Sequence, residues 1–393
     1  MRKDKERENG DIVPSSKWEI AKYSSPLISR GLELEKVIEG EHKRKLFPIK
    51  KGNKYGYIDN TGKIVIKPQF DLACDFSEGL ARIQVGDKWG FINKTGRVVN
   101  EIKFDLAGDI SEGLACICIG DNNGYIDNTG KMVIKPQFDF ASNFSEGLAC
   151  VMIDDKLGYI NKIGEIVINP QFDVASGFSE GLAHVYIGGK LDYTNGRSGF
   201  IDGKYAYIDN TGKIVIKPQF DFASDFSEGL ACVMIDNKWG YINKIGEIVI
   251  NLQFDCAYDF SEGLAAINIG GKKNDFFPTL IRRFERNGEW GYIDNTGKIV
   301  IKPQFDTVSD FSEGLACVII DGKHGFINKA GKVIIGTKFV YAYDFSEGLA
   351  CVVGDKVWGY IDKTDKYIWK TSHKHADFVL LEFLLKFESD RYK

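Results

Sequence analysis

Hydrophobic and polar positions follow one short pattern that repeats along most of the chain. Each unit has three apolar stretches, of the types Leu-Ala-Cys-Val-Met-Ile, Trp-Gly-Tyr-Ile-Asn and Glu-Ile-Val-Ile, which we call strands a, b and c. The stretches are short, rich in β-branched and aromatic residues, and separated by Gly, Asn and Asp, which is typical of β-strands joined by tight turns. The pattern therefore predicts one three-stranded meander in each unit.

The Trp-Gly position of strand b marks nine units. Six of the eight intervals between them are 34 residues, and the other two are 48 and 51. The nine positions are Tyr55-Gly56, Trp89-Gly90, Asn123-Gly124, Leu157-Gly158, Tyr205-Ala206, Trp239-Gly240, Trp290-Gly291, His324-Gly325 and Trp358-Gly359. About eleven residues of the type Gln-Phe-Asp…Phe-Ser-Glu-Gly follow strand c and show no strand pattern, so we interpret them as connectors between units.

The repeat predicts an all-β fold with three regions: an N-terminal tail and cap (1–45), the array (46–370) and a C-terminal segment (371–393). Residues 376–387 have apolar side chains at helical spacing and predict a capping helix. The expected architecture is an elongated array of about nine three-stranded meanders, because dissimilar end segments favour an open array. The alternative is a closed, propeller-like ring. Residues 17–40 form either a cap or a degenerate repeat.

Two insertions, at 189–203 and 271–287, both lie between strands a and b. Insertions at one repeat position emerge from one face of an array. Both contain aromatic and arginine side chains, which are enriched where proteins bind one another. The candidate partner-binding residues are Phe276, Phe277, Arg282, Arg283, Phe284, Tyr193 and Arg197.

A second period of two units lies under the first. The turn after strand b reads Asp-Asn-Thr-Gly in units 1, 3, 5 and 7, and Asn-Lys-x-Gly in units 2, 4, 6 and 8. Two explanations remain open at this point: a pair of units was duplicated, or successive units alternate between two orientations.

Composition narrows the function classes. The formal net charge is −4, which gives no electrostatic basis for binding nucleic acid. No apolar run of about 18 residues predicts a membrane span, and no apolar region near the N-terminus predicts a secretory signal, so we expect a cytoplasmic protein. Five of the eight cysteines directly follow Gly-Leu-Ala, which indicates a small apolar slot rather than a disulfide framework.

Three connector carboxylates recur within eight residues, as in Asp255, Asp259 and Glu262. They fit either a Ca²⁺ site or acceptors for backbone N–H groups, and the second is favoured because the spacing of a calcium-binding loop is absent. The chain has no P-loop, no nucleophile motif and no zinc-type cysteine spacing. His373 and His375 form an isolated pair. We therefore expect no catalytic, cofactor or metal site.

The motif Trp-Gly-Tyr-Ile-Asn-Lys-x-Gly…Gln-Phe-Asp…Phe-Ser-Glu-Gly-Leu-Ala resembles the WG repeat of bacterial proteins, over roughly 46–370. The resemblance implies a β-rich repeat protein that mediates interactions and shares no catalytic residues. Only four units keep the tryptophan, so we interpret it as a packing residue rather than a ligand contact. The expected function is a non-enzymatic scaffold for an unidentified protein partner; the alternative is a glycan- or cell-envelope-binding protein.

Overall fold

The computed structural model describes residues 45–192, 199–271 and 288–372. These residues form nine small antiparallel sheets, here called blades 1 to 9, and a two-stranded hairpin in blade 5. Seven blades have four strands, and blades 1 and 2 have three. Within the described part of the chain there is no helix, and hence none that is long and apolar enough to cross a membrane.

The strands of blades 1 to 4 are β1 (Leu46–Lys51), β2 (Lys54–Asp59) and β3 (Ile64–Phe70); β4 (Leu72–Ala73), β5 (Leu80–Val85) and β6 (Lys88–Asn93); β7 (Leu106–Ala107), β8 (Leu114–Ile119), β9 (Asn122–Asp127) and β10 (Met132–Phe138); and β11 (Phe140–Ala141), β12 (Leu148–Ile153), β13 (Lys156–Asn161) and β14 (Ile166–Phe172). Those of blades 5 to 7 are β15 (Val174–Ala175), β16 (Leu182–Ile187), the hairpin β17 (Lys190–Asp192) and β18 (Gly199–Ile201), β19 (Lys204–Asp209) and β20 (Ile214–Phe220); β21 (Phe222–Ala223), β22 (Leu230–Ile235), β23 (Lys238–Asn243) and β24 (Ile248–Phe254); and β25 (Cys256–Ser261), β26 (Leu264–Ile269), β27 (Glu289–Asp294) and β28 (Ile299–Phe305). Those of blades 8 and 9 are β29 (Thr307–Val308), β30 (Leu315–Ile320), β31 (Lys323–Asn328) and β32 (Val333–Phe339); and β33 (Tyr341–Ala342), β34 (Leu349–Val353), β35 (Val357–Asp362) and β36 (Tyr367–Ser372).

The connector supplies a fourth strand, which the sequence pattern did not predict. In blade 6 the short strand β21 pairs with strand a (β22), which pairs with strand b (β23) and then with strand c (β24). We call this short element the inner strand. It usually contains only two residues, so no alternation of polar and apolar positions reveals it. The prediction of three-stranded units with structureless connectors was therefore wrong in this respect.

The expected open array is also wrong, because blades 9 and 1 pack together and close the ring. The hydrophobic cluster at this seam combines Phe47, Ile49 and Ile58 with Leu349, Trp358 and Tyr360. The Tyr360 hydroxyl donates a hydrogen bond to the Pro48 carbonyl oxygen at 2.9 Å. The fold is thus a nine-bladed β-propeller, the alternative architecture. The predicted helix at 376–387 and the segment 17–40 lie outside the described residues.

The core lies between successive blades. The tyrosine of Trp-Gly-Tyr packs against the phenylalanine of the next Phe-Ser-Glu-Gly, as Tyr241 does on Phe260 with ring centroids 4.9 Å apart and the ring planes tilted by 58°. Its hydroxyl donates to a carbonyl of the next inner strand, from Tyr241 to Tyr258 O at 2.7 Å. Each unit therefore buries its aromatic side chains against its neighbour, as a repeat architecture requires.

All blades run in the same sense, so the alternation of turn sequences is not an alternation of orientation. Both turn types use one Asx geometry: Asp294 Oδ1 accepts from the backbone of Thr296 and Lys298, and Asn243 Oδ1 accepts from that of Ile245 and Glu247. The meander places the a–b hairpins on one face of the ring, the hairpin face. The Phe-Ser-Glu-Gly and b–c turns lie on the opposite face, the turn face.

Candidate functional site

The tryptophans of the repeat are core residues. Trp239 is 6% exposed, and Trp89, Trp290 and Trp358 are similarly buried. Trp239 packs on Phe222 of its own inner strand, with ring centroids 5.0 Å apart. This arrangement supports the packing interpretation and leaves no tryptophan face at this position for a sugar or peptide.

The glycine beside the tryptophan makes room for strand c. Trp239 pairs with Phe254 and Tyr241 pairs with Ile250, so strand c bulges opposite Gly240. A Cβ on Gly240 would lie 2.5 Å from the Ile250 carbonyl oxygen. The Trp-Gly pair therefore has one structural role, a bulky cover beside a close backbone approach.

The recurring glutamates join each blade to the next on the turn face. Glu262 Oε2 accepts the Gly314 N–H at 2.9 Å and contacts Lys329 Nζ at 3.1 Å. Burial by itself would raise the pKa of Glu262, but the hydrogen bonds from Lys329 and Gly314 outweigh burial and lower it. Lysines at the same turn position pair with the glutamate of the preceding blade at four interfaces: Lys162–Glu112, Lys244–Glu180, Lys329–Glu262 and Lys363–Glu313.

The aspartate of Gln-Phe-Asp has the equivalent role on the hairpin face. Asp255 Oδ1 accepts a hydrogen bond from Lys238 Nζ at 2.6 Å, and Oδ2 accepts the Gly270 N–H at 2.9 Å. The third connector carboxylate, Asp259, accepts a hydrogen bond from the Ser224 hydroxyl at 2.5 Å. Asp255 and Glu262 thus accept backbone N–H groups, as the backbone-acceptor interpretation predicted, whereas Asp259 accepts from a serine hydroxyl instead. No cluster of three metal-ligating side chains occurs among residues that the structure describes.

The cysteine column is buried, and none of the eight cysteines, all within the described residues, forms a disulfide. Cys232 Sγ donates to the Ala257 carbonyl of the next blade at 3.4 Å. Burial raises the pKa of the Cys150 thiol to about 12, so it stays protonated and unreactive at neutral pH.

The predicted partner-binding residues lie outside the described residues: Phe276, Phe277, Arg282, Arg283, Phe284, Tyr193 and Arg197. The structure does place the ends of both insertions. Lys190–Asp192 pairs with Gly199–Ile201 as an extension of the a–b hairpin of blade 5. The second insertion leaves blade 7 after Gly271 and returns at Gly288. Both therefore start on the hairpin face.

A cavity of about 340 Å³ lies where unit 3 departs from the repeat. Asn123 replaces the tryptophan, and its Nδ2 donates to the Asp139 carbonyl at 3.0 Å. Gly108 replaces the serine, tyrosine or cysteine that other blades have at this position, and Leu106 is 48% exposed beside it. The lining residues, from blades 2, 3 and 4, are Arg82, Trp89, Leu106, Ala107, Gly108, Asp109, Cys116, Ile117, Cys118, Gly120, Asp121, Asn123, Asp139, Phe140, Ala141 and Asn143.

The positively charged side chain in this cavity is already engaged. Arg82 is 3% exposed; its Nε donates to Asp109 Oδ1 at 2.8 Å, and its Nη1 donates to the Ala107 carbonyl at 3.0 Å. The guanidinium also lies 5.8 Å from the centre of the Trp89 ring. Asp109 and Arg82 therefore neutralise one another at the inner end of the cavity.

Sequence reasoning missed this cavity, although the signals were present. In strand b alone, Asn123 is simply one of five units without the tryptophan, and Gly108 lies in the connector, which shows no strand pattern. Aligning the connectors as well as strand b would have shown that three small or polar replacements, Gly108, Asn122 and Asn123, fall in one unit.

Several solved structures resemble the chain weakly. One is the extracellular domain of a hybrid two-component system from B. thetaiotaomicron, at 11% identity over 84% of this chain and 56% of that chain, with a TM-score of 0.27. PorZ, a surface component of the type-IX secretion system of Porphyromonas gingivalis, has 10% identity over 84% of this chain and 52% of that chain, with a TM-score of 0.31. Hsv2p from Kluyveromyces lactis has 8% identity over 77% of this chain and 97% of that chain, with a TM-score of 0.37.

This chain spans about half the length of the first two proteins, and none of the three similarities supports a conclusion about its function. A search of curated proteins found no significant match.

The family comparison is decisive. The model of the WG containing repeat matches eight consecutive segments: 55–89, 89–122, 124–156, 158–190, 205–239, 239–272, 290–323 and 325–355. Each match begins in strand b of one blade and extends past the end of strand a in the next, so eight matches connect nine blades. Together the matches cover more than half of the chain, which therefore belongs to the WG-containing repeat family.

Proposed function

We propose that this propeller is a non-enzymatic scaffold that binds a partner protein on its hairpin face. One observation carries the proposal: both insertions that lengthen the 34-residue unit start from that face. They lie in blades 5 and 7, on either side of blade 6. The repeat residues are already used inside the ring, so recognition falls to residues outside the repeat. The aromatic and arginine residues of 272–287 and 193–198 are the proposed contacts.

The glycan alternative has less support. It needs repeated aromatic side chains exposed in a groove, whereas the described tryptophans of the Trp-Gly position are buried in the core.

Replacing each insertion with the short hairpin of blade 6 tests the proposal. There, Asp236-Asn237 connects Ile235 to Lys238. Substituting Asp-Asn for 188–203, or for 270–288, restores the 34-residue unit, so both variants should keep the wild-type circular dichroism and melting temperature. Affinity capture from the native cell, followed by mass spectrometry, should show that at least one variant loses a partner retained by the wild type.

The matched control is Gly322→Asn, which changes the same hairpin of blade 8 without altering its length. Asn tolerates the φ of 70° found there. This variant should capture the wild-type set of proteins. Identical sets from the wild type and both shortened variants would contradict the proposal.

A further inference from the structure

Two adjacent residues at the start of strand b have the same two roles in most blades. In blade 6, Trp239 packs on Phe222, while Lys238 Nζ lies 2.6 Å from Asp255. The lysine–aspartate pair recurs in four further blades, as Lys54–Asp71, Lys88–Asp105, Lys156–Asp173 and Lys204–Asp221. One side chain thus supplies an apolar body and its neighbour supplies a positive charge.

Blade 3 is the one unit in which both residues change to small amides, Asn122 and Asn123. Blade 7 also lacks the lysine, but it keeps Trp290, which packs on Tyr258 with ring centroids 4.7 Å apart. In blade 3 the column of Tyr258 holds Gly108. The bulky apolar side chain and the positive charge are therefore both missing at the same place. The space left between the blades is the 340 Å³ cavity.

The carboxylate that the lysine would neutralise remains. Asp139 occupies the position of Asp255, is exposed, and lines the cavity together with Asp121 of the a–b hairpin. Within the described ranges neither carboxylate has an ion pair. Arg82 is held by Asp109, so the part of the cavity near Asp139 carries net negative charge.

We propose that this cavity binds a small organic cation, an ammonium or guanidinium group on a flat apolar body. The cationic group pairs with Asp139 as Lys238 does with Asp255, and the apolar body occupies the place of the missing indole between Leu106 and Phe140. The volume suits a small ligand, and the combination of apolar walls with a few convergent polar groups is that of a ligand pocket.

Gly108 keeps the cavity open on its inner side. A Cβ at this position would lie 2.9 Å from Asn143 Oδ1. In blade 6 the serine of this column donates its hydroxyl to Asp259 of the next blade. Because Gly108 has no hydroxyl, it makes no such contact to Asn143, which lines the cavity.

Isothermal titration calorimetry of the full chain with tryptamine tests the proposal, since tryptamine carries an indole and an ammonium group. Tryptamine should bind saturably with one site, whereas N-acetyltryptamine and indole-3-acetate should bind at least about tenfold more weakly, because they lack the charge or reverse it. Asn123→Trp restores the repeat residue, fills the cavity and should abolish binding. Asp139→Asn removes the charge on the surface and should weaken binding about tenfold or more.

Tyr205→Trp is the control for Asn123→Trp, because it restores the repeat tryptophan in blade 5, away from the cavity. Asp155→Asn is the control for Asp139→Asn, because it removes an exposed carboxylate in blade 4. Both controls should bind tryptamine as the wild type does. Melting curves verify folding, and Gly108→Ser is a second cavity-narrowing variant should Asn123→Trp fail to fold.

Three results would overturn the proposal: no binding of tryptamine to the wild type, equal binding of indole-3-acetate, or undiminished binding to both Asn123→Trp and Asp139→Asn. Equal loss in the control variants would do so as well, because it would place the binding site elsewhere on the ring.

Discussion

At the scale of single residues, the repeat positions fall into two groups according to what surrounds them. Every tryptophan at the Trp-Gly position of strand b is buried. The third residue of the b–c turn is instead exposed to solvent, as Ile245 is at 71% exposure. Both are large and apolar, so composition alone does not separate them. Their location separates them, because one lies within a strand and the other in a turn. The free energy of unfolding should therefore respond differently to substitution at the two positions.

Trp239→Ala should lower the free energy of unfolding by about 3–5 kcal/mol, because it removes a buried side chain packed on Phe222 and leaves a cavity. Urea unfolding followed by circular dichroism measures the change. Ile245→Ala is the control and should change stability by less than about 0.5 kcal/mol. A Trp239→Ala variant as stable as this control would show that the tryptophan does not form part of the core.

His324 occupies the tryptophan position of blade 8, and burial lowers its pKa to about 4 from 6.5. Above pH 6.5 the imidazole is neutral in both the folded and unfolded states, and there is no penalty. As the pH falls from 6.5 towards 4, the unfolded chain binds the proton more readily, so the folded state loses stability. The loss should approach roughly 3 kcal/mol at pH 4.

His324→Trp restores the repeat residue and removes this titration. The difference in unfolding free energy between variant and wild type, measured by urea unfolding from pH 7 to pH 4, should therefore grow in favour of the variant. Parallel profiles over that range would mean that the folded protein accommodates a protonated His324.

At the scale of the element, the blade is held to its neighbours by the same few contacts at each interface. The serine of Phe-Ser-Glu-Gly donates to the equivalent carbonyl of the next blade, as from Ser227 to Phe260 O at 2.7 Å. The glutamate that follows it has a positive φ, 53° in Glu262, and accepts the next blade's Gly N–H. A non-glycine residue in this conformation is strained, and the strain persists only where other interactions offset it. Here the hydrogen bond to the next blade is that interaction.

Glu262→Gln should destabilise the protein at neutral pH but not in acid. The folded-state pKa of Glu262 lies below 4.5, so the charge stabilises the folded protein above that pH, and the contribution disappears as the pH falls through the lowered value. Thermal melting at pH 7 should show a lower Tm for the variant, and the gap in Tm should narrow as the pH falls below 4.5. Glu289→Gln, at an exposed position of β27, should match the wild type throughout. A gap that does not narrow at all as the solution is acidified would assign the effect to shape rather than charge.

At the scale of the whole molecule, the ring is closed by a seam that resembles the other interfaces without copying them. Elsewhere the tyrosine hydroxyl of strand b reaches the next inner strand, but Tyr360 reaches Pro48 in strand a of blade 1. Lys45 pairs with Glu347 at the position where other blades present a glycine N–H. An odd number of blades also interrupts the two-unit alternation: unit 9 combines the Asp362 of odd units with the Lys363 of even ones, and Lys363 binds Glu313.

Tyr360→Phe tests closure directly. In a closed ring it removes a buried hydrogen bond and should cost about 1–3 kcal/mol, the same range as Tyr57→Phe, which removes the bond to Cys74 O within the ring. In an open array Tyr360 would lie at a free end, and its hydroxyl would contribute almost nothing. Phe91 and Phe326 occupy this column in other blades, so the substitution itself fits. Equilibrium unfolding of the two variants distinguishes the two architectures.

The local features follow from the sequence: nine units, the turns that join them, the common position of both insertions, and strands a, b and c in every unit except blade 2, where strand c is reduced to isolated bridges. These depend on interactions within a few residues, such as alternation along a strand, an Asx turn and a glycine with positive φ. A fourth strand of only two residues has no recognisable alternation of polar and apolar positions. In blade 6, for example, β21 is identified only by its pairing with Met234 and Val233 of β22.

Closure of the ring and formation of the cavity depend on tertiary contacts. Closure depends on the angle between successive blades added over nine units, and on whether the surface of Phe47 and Ile49 fits that of Tyr360. A repeat of constant length contains neither quantity. The cavity depends on side chains from three blades, such as Arg82, Asn123 and Asp139. These residues are far apart in sequence and become neighbours only in the folded ring. The sequence marked unit 3 as different, and the fold made that difference a cavity.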